Sequence, residues 1–131
     1  MPKSTYLSNK LLDLPVGAVA YTAPATLYFS LHTGVLTAAG TGTEVSGGNY
    51  SRAAVTNNTT NFPAASSASK TNANAITWAT ASASWGVVQY VGVWDASSAG
   101  NLLYFASITS KTVDANDTVS IPASNFTLTE S

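Results

Sequence analysis

Cysteine is absent from the 131 residues, so neither a disulfide framework nor a thiolate metal site can form. Histidine occurs once, as His32. Asp, Glu, Lys and Arg together make up 8% of the chain, against about 25% in ordinary globular domains. Five Lys and Arg residues, scattered in a chain of net charge −1, cannot build the basic stripe that nucleic acid requires. No window of about 18 apolar residues occurs, so no helical membrane span is expected. The N-terminal "MPKSTYLSNKLLDLPVGAVAYTAP" lacks the apolar centre of a secretory leader. These absences lead to the expectation of a protein made in a cytoplasm and held together by packing alone. A surface so poor in charge is weakly protected against association, which points to partners that cover it.

What is present favours a folded, β-rich chain. Hydrophobic residues make up 45% and aromatics 10%, with many β-branched residues beside them. That is too much apolar surface for a disordered chain. Residues 4 to 14, "STYLSNKLLDL", place Leu7 and Leu11 on one face of a short helix, with Ser4 or Thr5 as N-cap and Pro15 as the stop. Two or three turns of helix are unstable alone, so this face must dock. In "ATLYFSLHT" Leu27, Phe29 and Leu31 alternate with Tyr28, Ser30 and His32, the pattern of a half-buried strand. The Gly-rich segment after it reads as loop, "YSRAAVT" as a strand, and residues 57 to 74 as a long surface loop or an excursion along a neighbour. "AITWAT" reads as a short strand. "GVVQYVGVWD" and "NLLYFASIT", joined by "ASSAG", read as a hairpin. Both faces of that hairpin are apolar, so both must be covered. One or two further strands surround Pro122. The expected fold is mainly β: an antiparallel β-sandwich of about seven or more short strands with a short N-terminal helix or arm. The expected division is an arm over residues 1–22, docked on a neighbouring subunit or on the protein's own sheet edge, and a sandwich domain over 23–131; the first 14 residues are expected to be dispensable for folding.

Chemistry is hard to find. His32 has no motif around it and reads as a surface or interface residue. Asp114 and Asp117 in "DANDT" could offer oxygen ligands to calcium, but the sequence is equally a good turn. The six acids, Asp13, Glu44, Asp95, Asp114, Asp117 and Glu130, fall mostly in turns and termini, where no catalytic pair is expected. "GTGTEVSGG" lacks the Lys-Ser or Lys-Thr of a phosphate loop. Trp78, Trp85 and Trp94 could stack on a sugar, or fill the core and a subunit interface. The expectation is no catalytic residue, no cofactor and no metal. The candidate interface residues are Tyr6, Leu7, Leu11 and Leu12 on the helix, with Trp85, Tyr90, Trp94 and Tyr104 in and beside the hairpin.

Four stretches in order, "LSNKLLDLPVGAVAYTAPATLYFSLHT", "GTGTEVSGGNYSRAAVT", "ASASWGVVQYVGVWDASSAGNLLYFASITSKTV" and "DTVSIPASNFTLT", resemble a family of small tailed-phage virion proteins commonly labelled tail-fibre proteins. The resemblance covers nearly the whole chain. It implies a non-enzymatic virion β-sandwich that associates with itself, expected as a homotrimer, and with the major capsid protein or other virion subunits. The expected role is capsid decoration, a cement that adds apolar contact area across subunit seams. Such area is worth roughly 25 cal/mol per Å2 before ordering costs remove most of it. The alternatives are a tail-fibre, tail-tip or adaptor subunit, and a host-glycan-binding module. The expected location is the virion, after synthesis in the host cytoplasm.

Overall fold

A computed structural model describes residues 1–129. Glu130 and the end of the expected 23–131 domain lie outside the described residues. One helix, α1 (Thr5–Asp13), precedes eight strands: β1 (Thr26–His32), β2 (Ala53–Thr56), β3 (Ser69–Thr71), β4 (Ile76–Thr77), β5 (Gly86–Trp94), β6 (Leu102–Val113), β7 (Ser120–Ile121) and β8 (Thr127–Thr129). The fold is mainly β and antiparallel, as the alternation in the sequence predicts. A four-stranded sheet runs in the order β2-β1-β5-β6, and two short ribbons, β3-β8 and β4-β7, accompany it.

Register explains which residues share a face. Phe29 pairs with Val93 and Leu31 with Val91, while Ser30 pairs with Gly92 and His32 with Tyr90. Side chains alternate across a sheet, so Phe29, Leu31, Val91 and Val93 point one way. They join Phe62, Ile76, Trp78, Val119 and Phe126 from the ribbons and loops in the main core. Each such side chain contributes about 1.5–3 kcal/mol when fully buried. On the opposite face Trp94 and Leu102 meet Leu36, with Tyr28, Tyr90 and Phe105 around them.

Both faces of the β5-β6 hairpin are therefore covered in their middle by the chain's own residues. The coverage that the two apolar faces call for is thus supplied there from within the chain, while Val87 and Ile108 further along the hairpin stay exposed. His32 is a correction to the sequence expectation. It is 2% exposed, because the loop after β1 folds back: the Thr33 amide donates to the Thr43 carbonyl (2.9 Å) and the Val45 amide to the Leu31 carbonyl (3.0 Å). The 57–74 segment is also less of an open loop than expected. Phe62 enters the core, and β3 pairs with β8.

The helix starts and stops as its sequence predicts. The Ser4 hydroxyl accepts the Leu7 amide at 3.0 Å, satisfying one of the orphan donors of the first turn. The first residues of the expected arm dock on the protein's own sheet edge. The Ser4 amide donates to the Leu103 carbonyl (2.8 Å), the Phe105 amide to the Pro2 carbonyl (3.1 Å) and the Thr5 amide to the Ala38 carbonyl (2.9 Å). The Ser4 hydroxyl also donates to the Leu102 carbonyl. The first residues thus cap the outer edge of β6 at 103–105, and Leu7 is buried. Residues 12 to 20 are exposed throughout.

Candidate functional site

Two polar networks lie about β1 and β5, one on the side of the sheet away from the main core and one that reaches the core's rim through Tyr50. In the first, the Trp94 indole N–H donates to Ser30 Oγ at 2.7 Å. Ser30 Oγ lies 2.7 Å from His32 Nε2 and 3.4 Å from the Gly92 carbonyl. Having accepted from the indole, the hydroxyl has its own proton to give, and the shorter contact is to Nε2. That one proton goes either to Nε2 or to the Gly92 carbonyl, and the imidazole tautomer is set by which of them takes it. Nδ1 is left without a hydrogen bond of good geometry; the Thr43 backbone supplies only a weak one. Burial pushes the His32 pKa below its ordinary value, and the Arg52 charge adds to this against the opposing pull of Glu44. Gly92 permits the close approach: a Cβ there would meet Ser30 Oγ at 2.8 Å and both Leu36 Cδ2 and Trp94 Nε1 at 2.9 Å.

The second network follows from "EVSGGNYSR". Glu44 and Arg52 are the only carboxylate and the only Lys or Arg between residues 14 and 69, and they find each other. Arg52 Nε and Nη2 donate to the two Glu44 carboxylate oxygens, each at 2.9 Å. The Tyr50 hydroxyl donates to Glu44 Oε2 at 2.6 Å and accepts the Leu31 amide at 3.0 Å. Arg52 Nη1 donates to the Ala96 and Ala99 carbonyls, both at 2.9 Å. Its guanidinium lies 4.2 Å from the centre of the Trp94 ring, within cation–π range. Burial alone would raise the Glu44 pKa, but the bonds from Arg52 and Tyr50 and the Arg52 charge outweigh it and hold the carboxyl below its usual range. Burial and the Glu44 bond raise the Tyr50 phenol far above its ordinary value.

The structure scatters the expected interface residues. Leu7, Trp85 and Trp94 are 4%, 5% and 6% exposed, so little of any of them is left for a partner. Trp85 donates its indole N–H to the Gly48 carbonyl at 2.8 Å and meets the Tyr50 ring edge-on at 5.4 Å. A Cβ on Gly48, whose φ is +57°, would meet the Trp85 indole nitrogen at 2.8 Å. Tyr6, Leu11, Tyr90 and Tyr104 are half-buried, and Leu12 is 68% exposed. Leu11 and Tyr104 line one small pocket between the helix and the body, and Tyr6 and Trp94 line another beside the 100–102 turn.

Trp78 is 2% exposed and donates to the Phe29 carbonyl at 2.9 Å. No tryptophan presents a ring face broad enough for a sugar. Asp117 caps its own turn, accepting the Asp114 amide at 3.0 Å, and no cluster of three metal-ligating side chains occurs among the described residues. Sequence reasoning missed the Glu44–Arg52–Tyr50 network. The signal was there: a lone carboxylate and a lone arginine, eight residues apart in an uncharged stretch, with a tyrosine between them.

Fold and networks together define a mainly-β protein in which His32, Glu44 and Arg52 fasten loops onto a sheet. The chain belongs to the family described as Podophage GP4 fiber I protein gp80, whose model matches residues 2–129. It is thus a fibre-type bacteriophage virion protein. No curated protein sequence matches the chain.

Proposed function

We propose that the chain is a non-catalytic structural subunit of a phage fibre, fastened to copies of itself, in an expected trimer, and to neighbouring virion subunits by packing. One observation carries the non-catalytic part. Ser30 and His32, the sole hydroxyl–imidazole pair among the described residues, are 0% and 2% exposed, so no substrate can reach them as a nucleophile and base must be reached. The family match supports the fibre part.

Head decoration is the second reading. One observation favours it: the described residues form a compact sandwich-like body with no long helix and no extended shaft. The two readings differ in copy number. Quantifying the chain against the major capsid protein in purified particles tests them. A handful of copies per particle supports the fibre, and hundreds would overturn it in favour of decoration.

A further inference from the structure

Two apolar features of this chain are left uncovered, and they lie apart. The first is the run from Leu12 to Val19. Leu12, Leu14, Val16 and Val19 are 68%, 46%, 79% and 49% exposed, and the run pairs with no strand. The second is a groove of about 590 Å3 where the sandwich opens beside β6. Buried Leu31, Trp78 and Val91 line it together with the more exposed Ile108, Lys111 and Ile121. None of residues 12–20 lines this groove.

The groove runs along a free stretch of the β6 edge. The backbone bonds of the N-terminal residues to β6 end at Phe105, Met1 packs at the near end of the groove, and beyond that the outer edge of β6 has no strand beside it among the described residues. Val88 pairs with Lys111 and Tyr90 with Ser107, so Ile108, Thr109 and Ser110 all lie opposite the single Gln89. Such a bulge bends the edge away from a regular ladder, so the groove suits an apolar segment that is not a strand; residues 12–19 are such a segment, the end of α1 and a turn in which the Val16 amide donates to the Leu12 carbonyl (3.3 Å) and the Val19 amide to the Asp13 carbonyl (2.9 Å). Charge fits the same match. Asp13 is the only charged residue between 11 and 43, and Lys111 is the only Lys, Arg, Asp or Glu lining the groove. Both are exposed, and neither is in an ion pair among the described residues.

We infer that residues 12–19 of one copy dock in the β6 groove of a second copy, with Asp13 facing Lys111. This contact joins two different patches, so it repeats head to tail and closes into a ring when the rotation allows. The inference rests on the proposal that copies associate, and it is independent of whether the particle carries them on a fibre or on the head.

The absence of cysteine makes the test direct. Val16 and Ile108 each lie three residues from their charge. In the full chain, Val16→Cys/Ile108→Cys is oxidised beside a control, Val16→Cys/Val35→Cys, since Val35 is 63% exposed and outside the groove. The first pair is expected to link copies into covalent species larger than two chains, at least tenfold faster than the control. Equal rates, or a first pair that closes only within one chain, would overturn the inference. In light scattering the wild type is expected above 13.4 kDa. Val16→Asp, Asp13→Lys and Lys111→Asp should each weaken association about tenfold, and the Asp13→Lys/Lys111→Asp pair should restore it. A wild type that stays at 13.4 kDa at high micromolar concentration overturns the inference but leaves the copy-number test of the virion role untouched. A wild type that associates while Val16→Asp associates equally well removes this surface and leaves association standing.

Discussion

His32 shows how one residue's environment becomes a property of the whole fold. Its imidazole is neutral because burial disfavours the charge and Arg52 repels it, more than Glu44 and the Thr43 backbone favour it. The unfolded chain binds the same proton at about pH 6.5. The folded state therefore binds it less readily than the unfolded state. The His32 contribution to stability is full above about pH 6.5 and is lost as pH falls below that value toward the lowered folded pKa. Thermal melts of the wild type should drop between pH 7 and pH 5. His32→Asn keeps a polar side chain near Ser30 and removes the titration, so its melting temperature should be lower throughout but flat across the same window. An equal slope in both proteins would show that His32 is not the titrating group. Glu44 titrates lower: its pKa is depressed, so its contribution is present above the unfolded carboxylate value and disappears as pH falls through the folded one.

At the scale of elements, Arg52 is the joint between a strand and two loops. It sits just before β2, grips Glu44 in the loop that covers His32, and holds the Ala96 and Ala99 carbonyls of the β5-β6 turn. Its side chain is 5% exposed and that of Glu44 26%, so water compensates poorly for a lost partner. Arg52→Met should cost about 3 kcal/mol by leaving the carboxylate unpaired. Adding Glu44→Gln to that variant should cost less than Glu44→Gln does in the wild type, because the two act as one unit. Denaturant unfolding of the four proteins measures the coupling, and additive losses would remove the joint from the account.

Element identity was legible where spacing carried it: the Ser4 cap and Pro15 stop, the alternation in Thr26–His32, and the hairpin. The coverage of the hairpin was not. Period-two patterning says that both faces are apolar but not that Leu36 lies on one and Trp78 on the other, since those contacts join residues far apart in sequence. His32 was misplaced for the same reason. A polar residue alternating with Leu31 looks solvated until a Gly-rich loop closes over it.

For the molecule as a whole, the N-terminal segment itself divides in two. Residues 2–5 are tied to the body by three backbone hydrogen bonds, to Leu103, Phe105 and Ala38, each worth about 1 kcal/mol net. Leu7 is 4% exposed and Leu12 68%, although both are leucines of one short helix. If the first turn is part of the fold and the end of the helix is offered outward, the two must respond differently to the same change. Leu7→Ala should cost about 3 kcal/mol, roughly 10 °C in Tm for a chain of this size. Leu12→Ala should leave the Tm of dilute protein within about 2 °C. Removal of residues 1–11 should lose Leu7 and the edge bonds together, a large share of the about 5–15 kcal/mol that holds a typical domain. The truncated chain is expected to melt far below the wild type or fail to fold, which reverses the sequence expectation of a dispensable arm. A truncated chain that melts with the wild type would show that the β6 edge needs no cap. The exposed run from Leu12 to Val19 would then be simply the end of a loose tail.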